Sequence, residues 1–294
     1  DCSSLTSVTI PNSVTRISND AFFRVKNIVY SGSAEGSPWG ALNVNGIVDG
    51  DFVYSDDSKT KLTAYIGVGG DVNSPEFVTS IGNYAFDGCI GLTSITIPNS
   101  VTMIGYGVFR RCSGLQSLEL SFGYTSYGHN DFGDLFACSN SHIPSSLKSV
   151  ILKNGVTSIS SDAFKDCNRL TSITIPSTVT SIGSDAFSGC DSIETLIYNT
   201  NAIGTHFKGK KSLKNLIIGD DVTTIEKSAF EDCTGLISVT IPNSVKSIGE
   251  DAFKGCSNLT ITCEVESKPK GWSEMWNPDN RPVVWAEPKL EENQ

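Results

Sequence analysis

An alanine-phenylalanine pair recurs along the chain at a fixed interval, and a cysteine follows the phenylalanine of each copy by three residues. Paired copies of the phenylalanine are 23 residues apart, and the cysteines keep the same interval. A constant period of roughly 20 to 50 residues indicates a repeat architecture, in which each unit buries its apolar side by stacking on its neighbours. The sequence therefore argues against a single globular core. The phenylalanines that show the period are Phe86 and Phe109, Phe164 and Phe187, and Phe230 and Phe253.

Within one unit, the residue types predict a short strand followed by a return path. The run Leu92–Ile97 alternates isoleucine with serine and threonine, as expected for a strand with one buried face. Pro98 ends the strand, because proline cannot donate to a sheet ladder. A second extended piece and a single helical or 3₁₀ turn then bring the chain back. The predicted core layer contains Leu92, Ile95, Ile97, Val101, Ile104, Val108, Phe109 and Cys112.

The complete motif is Leu-x-x-Ile-x-Ile-Pro-x-x-Val-x-x-Ile-x-x-x-Ala-Phe-x-x-Cys. It resembles the unit of the BspA-like leucine-rich repeats. The resemblance implies a repeat solenoid, namely a right-handed leucine-rich-repeat-like coil with a parallel β-sheet on one face and short strands and helical or 3₁₀ turns on the other. One copy contains Leu170, Ile173, Ile175, Pro176, Val179, Ile182, Ala186, Phe187 and Cys190, and another contains Leu236, Val239, Ile241, Pro242, Val245, Ile248, Ala252, Phe253 and Cys256.

Two long intervals between phenylalanines predict insertions into the solenoid. Phe22 and Phe86 are 64 residues apart, and Phe109 and Phe164 are 55 apart. In the first interval, apolar runs on either side of a polar turn predict a β-hairpin. We expect one solenoid over residues 1–263, with about nine coils and with insertions at 29–76 and 121–146.

The last segment, residues 264–294, is predicted to be a C-terminal cap and tail. A terminal coil would otherwise expose its apolar layer and a bare sheet edge. Trp272, Trp276 and Trp285 are expected to cover that end. A platform on which sugars stack is the alternative interpretation of these tryptophans.

The composition is acidic, with a formal net charge of −10 over 294 residues. A nucleic-acid partner demands a basic surface, so the charge argues against nucleic acid and against anionic membranes. No run of 18 apolar residues occurs, so no transmembrane segment is predicted. Cys2 occupies the cysteine position of a coil, and we expect that the chain starts inside a unit of a longer protein. The lack of a signal peptide then says nothing about secretion.

The nine cysteines predict free, buried thiols. Six of them occupy the same site of successive coils, where cysteine behaves as a small core hydrophobe. Bridging between stacked neighbours is the alternative. Zinc is not expected, because no C-x-x-C pair occurs and the histidines are scattered. Four carboxylates lack the spacing of a calcium loop and are interpreted as turn residues, so neither metal nor cofactor is predicted; they are Asp49, Asp51, Asp56 and Asp57.

No catalytic residue is predicted, and the chain is not expected to be an enzyme. His129, His142 and Cys138 share the long insertion, so a Cys-His nucleophile is the catalytic alternative. We favour a loop with surface histidines and a cysteine at the usual core position. Paired carboxylates for glycoside hydrolysis stand in no recognisable setting.

Binding is the better candidate, because the outward positions of the predicted strands form a polar ladder along the stack. Solenoids use such extended sheets to hold partners. Duplication of the repeat is an alternative account of the regularity, since serine and threonine are ordinary solvent-facing strand residues. The ladder contains Ser94, Thr96, Ser117, Glu119, Ser149, Ser172, Thr174, Thr195, Asn215, Ser238 and Thr240.

Two irregular patches are further candidates for binding. Tyr124, Tyr127 and His129 lie in the second insertion, and tyrosine combines apolar area with a polar tip, as interfaces prefer. Filling the core of an oversized coil is the alternative. A small basic patch would suit an acidic ligand or be a solvated loop; it contains Lys208, Lys210, Lys211 and Lys214.

The resemblance to BspA-like proteins also implies a function. Members of that family are associated with bacterial cell surfaces, with adhesion to host matrix proteins such as fibronectin and fibrinogen, and with contact between cells. We therefore expect a monomeric, cell-surface or secreted interaction module whose partners are host or neighbouring-cell surface proteins. The alternative is a carbohydrate-binding accessory module of a larger polysaccharide-processing surface protein. A hydrolase that uses the insertions is a third interpretation.

Overall fold

The structure is a computed structural model that describes residues 5–121, 132–136, 143–159 and 161–288. The chain divides into two compact units, unit 1 over Asp1–Leu147 and unit 2 over Lys148–Gln294. Each unit is a parallel β-solenoid, and the two contain about 11 turns in all. Helix is limited, in the residues that the structure describes, to short 3₁₀ segments at Phe132–Phe136 and Thr205–Phe207.

Unit 1 has a parallel main sheet and a second sheet that includes a hairpin. Its described strands are β1 (Ser7–Thr9), β2 (Asn27–Val29), β3 (Ile47–Asp49), β4 (Phe52–Tyr54), β5 (Lys61–Tyr65), β6 (Gly70–Asn73), β7 (Ser80–Ile81), β8 (Leu92–Thr96), β9 (Met103–Ile104) and β10 (Ser117–Leu120). The main sheet has the order β6-β8-β10, and the second has the order β3-β4-β5-β7-β9. β1 pairs in parallel with β2.

Unit 2 is the more regular of the two. Its described strands are β11 (Ser149–Leu152), β12 (Ser158–Ile159), β13 (Ser172–Ile175), β14 (Ser181–Ile182), β15 (Thr195–Tyr198), β16 (Ala202–Ile203), β17 (Asn215–Ile218), β18 (Thr224–Ile225), β19 (Ser238–Ile241), β20 (Ser247–Ile248), β21 (Thr260–Cys263) and β22 (Val283–Val284). The parallel main sheet has the order β11-β13-β15-β17-β19-β21-β22. The second sheet is in two pieces, β12-β14 and β16-β18-β20.

The predicted alternation within a coil is confirmed. In β13, Ile173 and Ile175 are buried, while the side chains between them reach the surface. Pro176 follows the strand, and a turn closes where the Val179 amide donates to the Pro176 carbonyl at 3.2 Å. Ser149 faces Ser172 across the β11–β13 pair, so residues 23 apart are register partners.

Aromatic rings stack from coil to coil inside both units. The centroids of Phe164 and Phe187 are 5.3 Å apart, and their planes differ by only 6°. Phe187 and Phe207 follow at 4.8 Å, although the coil between them is three residues shorter. The stack also includes residues outside the predicted motif, because in unit 1 Tyr65 stacks on Phe86 at 5.2 Å. The period in the sequence is therefore the period of the aromatic core.

The cysteine of four described repeats has the same hydrogen-bonding role. Its thiol donates to the carbonyl of the phenylalanine in the preceding coil, as when Cys190 donates to Phe164 at 2.8 Å. Cys112 reaches Phe86 at 3.0 Å, and Cys256 reaches Phe230 at 3.2 Å. A buried carbonyl without a hydrogen-bond partner costs free energy. The thiol therefore both fills space in the core and donates to that carbonyl.

The position two residues after the phenylalanine has a left-handed backbone. Asp166 has φ +59° and Gly189 has φ +74° in the next coil, and Asp232 and Gly255 repeat the pairing at +61° and +75°. A Cβ on Gly189 would overlap Asp166 Oδ1, and one on Gly255 would overlap Asp232 Oδ1. Glycine is therefore required behind each aspartate for the space, since the aspartates themselves adopt the same left-handed φ.

The interval between Phe22 and Phe86 differs from the sequence prediction. β4 and β5 pair antiparallel on either side of the polar turn. β6, however, lies inside the predicted 29–76 insertion and is already a rung of the main sheet, with Asp71 opposite Ser94. The motif is absent there, so the sequence period did not show this coil, and about 11 turns are present where about nine were predicted.

A buried ionic cluster marks the same part of unit 1. Asp87 is 1% exposed, and its carboxylate accepts from Arg111 at 3.0 Å and lies 3.4 Å from the Arg24 guanidinium. The Lys26 ammonium donates to the Asp87 carbonyl at 2.7 Å. Burial lowers the pKa of Lys26, because desolvation disfavours the charged ammonium. Arg24 and Lys26 come from the segment after Phe22, which therefore packs against the Phe86 coil.

Candidate functional site

The first candidate surface is the unit 1 strand face, defined as the outward residues of β6, β8 and β10. Register places Asp71, Ser94 and Ser117 in one column, and Asn73, Thr96 and Glu119 in the next. The four predicted ladder residues of unit 1 therefore lie together, and the structure adds Asp71 and Asn73.

The carboxylates of the unit 1 strand face accept hydrogen bonds from neighbouring hydroxyl groups. Asp71 Oδ1 accepts from Ser94 at 2.8 Å and from Thr93 at 2.9 Å. Thr96 donates to Glu119 at 3.2 Å. The hydrogen bonds from Ser94 and then Thr93 lower the pKa of Asp71, because they favour the charged carboxylate. This face therefore carries negative charge, and the hydroxyl groups nearest to its carboxylates already donate hydrogen bonds to them.

The second candidate surface is the unit 2 strand face, defined as the outward residues of its main sheet. It consists of two register columns. One column contains Ser149, Ser172, Thr195, Asn215, Ser238 and Thr260, and the other contains Ile151, Thr174, Ile197, Ile217, Thr240 and Thr262. The seven predicted ladder residues of unit 2 therefore form one continuous surface.

The unit 2 strand face carries no charged side chain in either column. Ile197 and Ile217 are register partners at its centre, and Ile217 is 52% exposed. Charges begin in the adjacent column, where Lys214 pairs with Glu194 at 3.1 Å. An exposed apolar centre with a polar and then charged rim is the composition of a protein interface.

The sequence ladder missed the isoleucines of this face. Ile151, Ile197 and Ile217 occupy the position that holds threonine in the copies used to define the motif. The sequence did contain a signal for these residues, namely an apolar residue at a repeat position that is polar in the other copies. Asp71 and Asn73 gave no such signal, because the motif does not extend through their strand.

Three predicted site residues, Tyr124, Tyr127 and His129, lie outside the described residues. The same holds for His142 and Cys138, which were considered as a catalytic alternative. These positions therefore stay predictions from the sequence.

The predicted lysine patch is largely neutralised by ion pairs. Lys208 lies 2.6 Å from Glu231, and Lys210 lies 3.1 Å from Asp191. Lys210 is also buried. A loop whose cations already meet carboxylates offers an acidic ligand little free charge, which favours its structural interpretation.

Two of the tryptophans near the C-terminus are buried against the last coil. Trp276 lies 6.3 Å from Phe253 and 5.0 Å from Trp272, centroid to centroid. The Trp272 indole donates to the Val245 carbonyl at 3.2 Å. Trp285 is half-buried and lies 5.9 Å from Trp272. The buried pair extends the aromatic stack and has no open face for a sugar.

All seven described cysteines are free thiols, and all except the half-buried Cys89 are buried. Burial raises the pKa of Cys233 to about 11 and that of Cys256 to about 12. These two thiols stay protonated at neutral pH and are poor nucleophiles, whereas a hydrogen bond with Cys167 lowers the pKa of Cys190. No group of three His, Cys, Asp or Glu side chains in the described ranges is placed to hold a metal ion.

Stacked coils that each add one strand to a parallel sheet define a leucine-rich-repeat solenoid. The chain belongs to the family described as the BspA type leucine rich repeat region, whose model matches six copies over residues 1–32, 70–150 and 138–260. A search of curated proteins finds no match. Within the part of the chain that is described, no helix has the length and apolar character to cross a membrane.

Solved structures with similar coils come from several bacteria. A leucine-rich cell surface protein from Faecalibacterium prausnitzii is 22% identical, with a TM-score of 0.40, over 97% of this chain and 80% of its own. A leucine-rich repeat protein from Bacteroides ovatus is 20% identical, with a TM-score of 0.39, over 98% and 93%. The leucine-rich repeat protein of T. pallidum is 22% identical, with a TM-score of 0.37, over 65% and 91%.

Proposed function

We propose that the protein is a cell-surface or secreted adhesion module that binds host matrix proteins or proteins of neighbouring cells through its strand faces. The observation that carries the proposal is the uncharged unit 2 strand face on a chain with net charge −10. Charged residues are depleted at the centre of protein interfaces, because desolvating them is costly. Repeat modules of this family are suited to protein binding, and Tyr124, Tyr127 and His129 are further candidates for contact on sequence grounds.

A charge placed at the centre of the face tests the proposal. Ile217→Asp should weaken binding to immobilised fibronectin or fibrinogen at least about tenfold, measured by surface plasmon resonance, since a buried unpaired carboxylate opposes docking. Thr234→Asp adds the same charge at an exposed turn of unit 2 and is the matched control. Equal affinity of the two variants, or no binding of the unmodified protein to either matrix protein, contradicts the proposal.

Carbohydrate binding is the alternative function. It rests on Trp285, the one described tryptophan that is not buried. A glycan array that shows one sugar class, with the signal lost in Trp285→Ala, would favour it over protein adhesion.

A further inference from the structure

The second sheet of unit 2 is interrupted where one coil is short. Phe187 and Phe207 are 20 residues apart, against 23 elsewhere in the unit. β14 and β16 belong to neighbouring coils, yet they fall in separate pieces of the sheet. The edge of β14 that faces the next coil therefore lacks a partner strand, so its backbone groups are not used by a ladder.

Side chains replace the missing ladder bonds in part. The Tyr198 hydroxyl donates to the Ala202 carbonyl at 3.0 Å and accepts from the Gly204 amide. The His206 ring donates to the Ser184 carbonyl. Burial lowers the pKa of His206, so its ring is neutral at neutral pH.

The gap is an open notch with a volume of 180 Å³. Gly204 forms part of its floor, and a Cβ there would lie 3.2 Å from His206 Nε2 and 3.4 Å from Glu226 Oε2. Glu226 is exposed and has no ion-pair partner among the described residues. The notch is lined on the other side by Thr180, Ser181 and Ile182, the unpaired edge.

We propose that this notch binds a guanidinium group, presented as an arginine side chain by a protein partner. The site lies on the second sheet, so the inference does not depend on docking at the strand faces.

The notch contains acceptors that a cation can use, beside the N–H groups of the open edge and the hydroxyl groups of its lining. Glu226 supplies a carboxylate, and the open edge of β14 supplies carbonyl oxygens. Guanidinium presents five N–H donors in a planar fork and no acceptor, and it pairs with carboxylate through two parallel hydrogen bonds. Its flat face also stacks on an aromatic ring, which the neutral His206 imidazole provides. An ammonium group lacks both the fork and the flat face.

Charge further favours a cation at this place. The chain carries 32 Asp and Glu against 22 Lys and Arg, so its field attracts basic groups. Most described lysines near the notch already form ion pairs with other carboxylates. Lys208 pairs with Glu231, and Lys227 pairs with Glu250. Glu226 is thus available to a cation from outside.

The test is an NMR titration of the whole chain at pH 7.5 with N-acetyl-arginine N-methylamide. The neutral N-acetyl-citrulline N-methylamide has nearly the same shape and is the matched ligand. We expect saturable shifts around the notch with the arginine probe and a Kd at least about tenfold weaker with the citrulline probe. Glu226→Gln should weaken arginine binding to a similar degree.

Two further variants make the result specific. Gly204 has φ −87°, so Gly204→Ala keeps the backbone and narrows the notch, and it should abolish binding. Asp221→Asn removes an exposed carboxylate elsewhere in unit 2 and should change nothing. Equal binding of citrulline or of the matching lysine probe, unchanged binding by Gly204→Ala, or equal losses in Glu226→Gln and Asp221→Asn would each overturn the proposal.

Discussion

Unit 1 buries one residue that follows a stacked phenylalanine, whereas unit 2 keeps the equivalent residues at or near the surface. In unit 1 it is Asp87, buried and held by arginines from two other segments. In unit 2 the same position holds Lys165, whose side chain is 46% exposed and pairs with Asp162. The repeat fixes the core positions of both units. It leaves this neighbouring position free, and unit 1 uses it to attach the segment that precedes its hairpin.

The strand faces of the two units also differ, and the difference is in their charge. The unit 1 face carries Asp71 and Glu119, which engage neighbouring hydroxyls. The unit 2 face carries Ile197 and Ile217 in the equivalent ladder. One backbone register therefore supports a charged surface in one unit and an uncharged one in the other, because outward positions are not constrained by stacking.

The largest expected effect tests the buried ion cluster. Asp87→Asn leaves the buried Arg24 without a countercharge, and we expect the free energy of unfolding to fall by about 3–5 kcal/mol. Urea unfolding measures this change. Lys165→Ala, at the same repeat position in unit 2, should change it by no more than about 0.5 kcal/mol. Similar values for the two variants would remove the distinction between the units.

An intermediate effect tests the aspartate-glycine pairing of unit 2. Gly189→Ala combines left-handed strain with overlap on Asp166, and we expect a loss of about 2 kcal/mol in urea unfolding. Gly209→Ala is the matched control, because Gly209 has φ +73° and no atom within 4 Å of its Cβ position. That variant should lose only about 1 kcal/mol. Adding Asp166→Gly to Gly189→Ala should recover part of the difference, because the Cβ still lies 2.9 Å from the Cα of residue 166, and a strictly additive pair would argue against the side-chain overlap.

The smallest effect concerns the thiols that both units share. Burial raises the pKa of Cys256 from 9.0 to about 12. Above pH 9 the unfolded chain loses this proton while the folded chain keeps it, so stability falls as pH rises from 9 towards 12. The slope is at most about 1.4 kcal/mol per pH unit for each thiol.

Thermal unfolding followed by circular dichroism from pH 7.5 to 10.5, with reductant present, measures this slope. Cys256→Ala should be less stable at neutral pH and lose less on going to alkaline pH. An unchanged slope in the variant would show that this thiol does not contribute.

The period of the sequence predicted the solenoid, the register and the stacked phenylalanines, because these depend on contacts between residues 23 apart. The Asp87 cluster could not be predicted, since Arg24 and Lys26 are more than 60 residues away in a segment without the motif, and the motif leaves the position of Arg111 unspecified. The predicted ladder residues do form surfaces within each unit. The isoleucine centre of the unit 2 face was missed, because alignment to the motif favours the common threonine over the exception.

The overlap of each aspartate with the following glycine restricts how such an array changes length during evolution. Tandem duplication of the Asp232 coil alone would place a second aspartate where the site requires glycine. Loss of the Gly189 coil would instead bring Asp166 up to Gly209, whose surroundings are open. Recombination between coils can therefore shorten unit 2 by a single coil at that point, whereas growth at Asp232 must copy the aspartate coil and its glycine successor together.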